Sequence, residues 1–75
     1  MKYSNNKRVL VGDKVQLGQG ATGVVVCDFD HAKFSVGFSE RDWSYLQRGV
    51  LVNFQLLGLV HYLEAEAELK LLERA

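Results

Sequence analysis

A lone cysteine, Cys27, in a chain of 75 residues rules out an internal disulfide, so packed side chains, a ligand or another chain must hold the fold together. The constraint is severe because a chain this short buries only about 60% of the surface that its unfolded form exposes. Residues 1–75 therefore read as a single domain with little room for both a core and a deep catalytic cleft. A hydrophobic content of 48% against 24% charged residues places the chain among folded domains rather than disordered ones. The first eight residues, Met1 to Arg8, are polar, read as a flexible lead-in, and are not followed by the apolar run of a signal peptide. The stretch from Gly49 to Leu63 is interrupted by Asn53, Gln55, Gly58 and His61, short of the ~20 apolar residues that would cross a bilayer. A soluble protein of the reducing cytoplasm is expected, with no membrane partner.

The strands are written in two-residue alternation. Lys14-Val15-Gln16-Leu17 puts Val15 and Leu17 on one face, the glycine cluster from Gly18 to Gly23 supplies a tight turn, and Val24-Val25-Val26-Cys27 returns. Gly49 to Gln55 is the clearest strand, with Val50, Val52 and Phe54 on its core face; a turn at Leu56-Leu57-Gly58 leads into Leu59 to Leu63. Between these two hairpins, Asp28 to Phe38 reads either as an irregular loop or as a loop around a short strand near Lys33 to Gly37. Ser39, three residues before Asp42, is an N-cap, and Trp43, Leu46 and Gln47 follow at helical spacing until Gly49. One or two helical turns are expected from Glu40 to Arg48. In the tail, 64–74, Ala, Glu and Leu favour helix while Leu69-Lys70-Leu71 alternates like an edge strand, which leaves helix and a final strand at about Leu69 to Glu73 as equal alternatives.

Lysine and arginine equal aspartate and glutamate at nine each, yet the charges are segregated. Lys2, Lys7, Arg8 and Lys14 stand against Asp13 near the amino end, and Glu64, Glu66, Glu68 and Glu73 against Lys70 and Arg74 near the carboxyl end. Such opposed ends can pair within one chain or between two copies, and neither is the basic stripe that tracks a phosphate backbone.

The run Gly12-Asp13-Lys14-Val15-Gln16-Leu17, with Gly18, Gly20 and Gly23 before Val24-Val25-Val26, resembles the opening hairpin of small SH3-like barrels of the KOW and Tudor-like kind. The resemblance covers about residues 11–27 and implies a mostly-β barrel of about five antiparallel strands with one short helix. KOW-type modules that hold RNA carry an excess of lysine and arginine, which this balanced chain lacks, so nucleic acid is not the expected partner. Trp43 to Val52, together with Gly58-Leu59-Val60-His61-Tyr62, is similar to a pattern that recurs in small uncharacterised bacterial proteins; this implies a bacterial accessory protein without an assigned activity.

Catalytic and metal chemistry find little footing. Cys27, Asp28, Asp30 and His31, with His61 far along the chain, are read as a strand end and turn rather than as metal ligands, and Cys27 as structural rather than nucleophilic. The glycine turn lacks the Lys-Ser/Thr pair and following helix of a phosphate loop. No catalytic residue and no cofactor is expected. The suggestive feature is aromatic: Phe29, Phe34, Phe38, Trp43 and Tyr45 crowd the least regular stretch, with Arg41 and Arg48 nearby. These seven residues are the expected surface for a protein or peptide, the alternative being that the rings close one end of the core. Leu56, Leu57 and Leu59 at a hairpin tip suggest an oligomer interface and hence a homo-oligomer. Two other functions stay open: a nucleic-acid-binding module using Lys2, Lys7, Arg8 and Lys14, and a small-molecule sensor engaging its ligand through Trp43 or His61.

Overall fold

In a computed structural model, which describes residues 1–64 and 66–74, both hairpins form where the alternation places them. The first joins β1 (Lys14–Leu17) to β2 (Thr22–Asp28), and the second joins β4 (Val50–Phe54) to β5 (Gly58–Tyr62). Between them lie β3 (Lys33–Phe34), the one-turn helix α1 (Glu40–Trp43) and a 3-10 turn at Ser44–Leu46; β6 (Leu69–Glu73) closes the chain. All pairings are antiparallel in a single sheet of order β5-β4-β2-β1-β6, with β3 attached to the end of β2.

Two expectations are corrected. The sheet has six strands rather than about five, because the segment between the hairpins adds β3 through the pairs Cys27 with Phe34 and Asp28 with Lys33. It is also not closed into a barrel: β5 and β6 stand at opposite ends of the strand order and do not pair with each other.

Of the two alternatives for the tail, the structure takes the strand, with Ala65 outside the described residues. Leu69 and Leu71 pair with Leu17 and Val15, so burying Leu69 fully and Leu71 in part beside β1 outweighs the helix preference of the Glu-Ala-Leu composition. The short helix is capped as expected, with the Asp42 amide donating to Ser39 Oγ at 3.2 Å.

The main core lies on one face of the sheet, where Val15, Val25, Val50, Val52, Phe54 and Leu69 are buried. Gly23 is required here. A Cβ at that position would meet Asn53 O at 2.6 Å and Phe54 Cα at 2.9 Å, so β2 crosses β4 more closely than any side chain permits. Val26 is the extra residue of a bulge between the pairs Val25 with Val52 and Cys27 with Leu51.

The first eight residues, read as a flexible lead-in, carry a core residue. Lys2 bridges Arg8, the Val9 amide donates to Met1 O at 2.9 Å, and Tyr3 is buried among the core side chains. The Tyr3 hydroxyl donates at 2.7 Å to the buried carboxyl of Asp13, whose same oxygen accepts the Leu10 amide at 2.9 Å. Arg74 Nε lies 3.4 Å from the other oxygen, and its Nη2 reaches the Arg8 carbonyl. The opposed charges of the two ends are thus joined within one chain, with Lys14 and Glu73 forming a second, solvent-exposed pair at 3.9 Å.

Tyr3→Phe removes one hydrogen bond and is expected to cost about 1 kcal/mol; Asp13→Ala strands several buried donors and is expected to cost roughly 3 kcal/mol, both read from urea denaturation. Burial, then the hydrogen bond to Asp13 and its charge, raise the Tyr3 phenol above its ordinary value, and burial raises the Cys27 thiol. Above each group's unfolded value, about 9 for the thiol and about 10 for the phenol, the unfolded chain releases a proton that the folded chain keeps. The stability that these two groups contribute is therefore expected to fall as pH rises beyond about 9, and Tyr3→Phe should reduce the part of that fall above about pH 10.

Candidate functional site

The segment from Phe29 to Gly49 folds back as a unit because its ends are tied. The Phe29 amide donates to Gly49 O at 2.9 Å, and the Gly49 amide donates to Asp30 Oδ1 at 3.2 Å. Gly49 itself has a φ of 81°, and a Cβ there would run into the Tyr62 carbonyl. So anchored, the segment lies on the outer face of the sheet, opposite the main core. It builds a second apolar cluster of Val26, Cys27, Phe29 and Leu51, packed by Phe34, Phe38, Trp43 and Leu46.

The expected aromatic surface divides accordingly. Phe29 is buried, edge-on to Phe34 at 5.9 Å and to His61 at 5.6 Å between ring centres, and it forms the floor of the cluster rather than a contact surface. Phe34, Phe38 and Trp43 are half-buried against that floor. Trp43 lies 5.8 Å from Phe38 and carries Tyr45 stacked on it at 6.5 Å with the rings 21° apart; Tyr45 remains 69% exposed. Arg41 and Arg48 are exposed, and neither forms an ion pair among the described residues. Of the seven expected residues, Trp43 and Tyr45 thus form an aromatic ledge, and Arg41 and Arg48 place two cations on the same short segment.

The polar residues nearby are engaged in holding the segment. His31 Nδ1 lies 2.9 Å from Asp28 Oδ2, while Asp28 Oδ1 is buried without a hydrogen-bond partner among the described residues. His61 Nε2 donates to the Arg48 carbonyl at 2.7 Å, which pins the end of the ledge to β5. No group of three or more metal-ligating side chains assembles among the described residues. Burial drives the Cys27 thiol upward, away from the thiolate form that a nucleophile needs.

One surface was not singled out in the sequence. The segment 29–49 covers only part of the outer face, and beyond it runs a groove of about 480 Å³ lined by Lys14, Thr22, Val24, Val26, Asn53 and Leu72. The signal lay in the opposite parity of the strands: Val24 is paired with Lys14 and Asn53, so an apolar residue interrupts a polar row. Leu56, Leu57 and Leu59, expected at an interface, are exposed in this chain together with Leu63.

Comparison with protein-family models, with curated proteins and with solved structures finds no match to this chain.

Trp43→Ala is expected to cost about 2 kcal/mol because the indole covers the outer cluster, whereas Tyr45→Ala should stay within about 0.5 kcal/mol of the parent. Paired urea titrations check the contrast.

Proposed function

We propose that this chain is a non-enzymatic interaction module of the SH3-like kind that holds a protein segment against the Trp43–Tyr45 ledge. The observation that carries the reading is the exposure of Tyr45 while its ring is already stacked on a tryptophan that packs on Phe38. An exposed but oriented aromatic pair loses little freedom when it binds, which favours recognition of an extended peptide by stacking. Arg41 and Arg48 add donors for carboxylates, so the preferred peptide combines a proline or aromatic residue for the ledge with acidic flanks. The strand order supports the SH3-like part of the reading: β1, β2, β4 and β5 follow one another as a meander, and the last strand returns to pair with the first. A cytoplasmic location accords with a chain that has a single, buried cysteine.

A displayed library of peptides rich in proline, aromatic and acidic residues tests the proposal. Selected peptides should change Trp43 fluorescence, and Tyr45→Ala should weaken them at least about tenfold, roughly 1.4 kcal/mol, with unchanged stability. Enrichment of no sequence, or binding indifferent to Tyr45→Ala, would refute it.

A further inference from the structure

The two outer edges of the sheet differ in a way that the ledge does not explain. At the β6 edge, Lys70, Glu73 and Arg74 place charges along the strand, and Leu72 is the extra residue of a bulge between the pairs Lys14 with Glu73 and Val15 with Leu71. Charges and bulges are the usual protection of an edge against further pairing. The β5 edge has neither. From Gln55 to Leu63 there is no charged residue and no proline, and the five pairs from Val50 with Tyr62 to Phe54 with Gly58 run without a register shift. Among the described residues, no main-chain hydrogen bond joins Gly58–Tyr62 to anything but β4.

Exposed leucines gather on the same strand and its flanks: Leu56 at 88%, Leu57 at 58%, Leu59 at 43% and Leu63 at 55%. We propose that the β5 edge is the docking surface for a second copy of this chain, the two β5 strands pairing antiparallel about a two-fold axis at Val60.

The strand is complementary to itself in that register. Val60 meets Val60, Leu59 meets the second copy's His61, and Leu57 meets the second copy's Leu63, so the exposed leucines at either end of one strand find each other. With no charge between Gln55 and Leu63, nothing along the pairing line repels its own image. The four leucines present on the order of 400 Å² per protomer, about half of what a standard interface buries on each side; the unpaired strand backbone and its neighbours supply the rest. A two-fold pairing also closes after one step, because the edges it leaves outward are the charged β6 strands. The segregated charges of the chain ends are not needed for this contact, since Lys14 with Glu73 and Asp13 with Arg74 pair within one chain.

Sedimentation velocity on the full chain, from micromolar to millimolar concentration, reads the assembly directly. A dimer is expected, and the double substitution Leu59→Lys with Leu63→Lys should raise its dissociation constant at least about tenfold while the circular dichroism spectrum stays that of the parent. Amide exchange supplies a readout that needs no substitution: protection of residues 59–63 should rise with protein concentration. A chain monomeric throughout, a dimer that survives both lysines, or concentration-dependent protection confined to β6 would each overturn the proposal. Peptide binding at the Trp43–Tyr45 ledge is measured separately on the same double variant, so failure of one reading leaves the other intact.

Discussion

The fold depends on one buried carboxyl group. Asp13 stands just before β1, out of contact with water, and its side chain receives the Tyr3 hydroxyl, the Leu10 amide and the Arg74 guanidinium. Its own carbonyl accepts the Val25 amide at 3.0 Å, so the same residue also fixes the start of β1 against β2. Taking such a group from water without partners would cost several kcal/mol, and leaving any donor around it unpaired would cost 1–3 kcal/mol, roughly. A chain of this size has few kcal/mol to lose. The requirement for every donor to be in place therefore makes the amino-terminal segment, the first hairpin and the end of β6 one cooperative unit. Tyr3 is brought over the core by that requirement and adds its ring to the apolar surface it covers.

Alternation made the strands readable, since Val50, Val52 and Phe54, or Val15 and Leu17, declare a face without reference to anything distant. What alternation could not convey was the second face. Leu51 has the parity of Asn53, which is exposed, yet it is buried because the pairing of β2 with β4 shifts at Val26 and the segment 29–49 folds over it. Barrel closure was equally out of reach: a glycine turn and valine strands are compatible with open and closed sheets alike, and the difference lies in whether the first and last strands of the order meet. The density of aromatic residues was plain in the sequence, but the division between floor and ledge was set by long-range pairs such as Cys27 with Phe34. Asp13 and Tyr3 gave no local signal at all. Each has an ordinary sequence context, one in a turn and one in a polar segment, and only their contact across ten positions reveals what they do.

Small size explains why the sheet became two-sided. A single layer of short strands exposes half of its side chains, and β2 and β4 are rich in valine and leucine on both faces. Covering the outer face requires a second layer, and the chain devotes residues 29–49 to it, a turn of helix and three half-buried rings held by ties at Gly49 and His61. That layer is too short to reach β1 and the far ends of β4 and β5. The groove past Val26 is the uncovered remainder, and the Trp43–Tyr45 ledge is the rim of the covering layer.

The distribution of the remaining apolar surface then carries information that its amount does not. A chain too small to bury every leucine would scatter the surplus, as Val36 is scattered on an exposed turn. Four exposed leucines within eight positions of one hairpin are not a scatter, and they coincide with the one edge that lacks the charges and the bulge found on the other. The β6 edge shows that this sequence contains the means of blocking strand addition where it is unwanted. An unblocked edge in the same sheet is then a feature to be read in its own right, and it lies on the strand whose His61 is bonded to the end of the ledge-bearing segment.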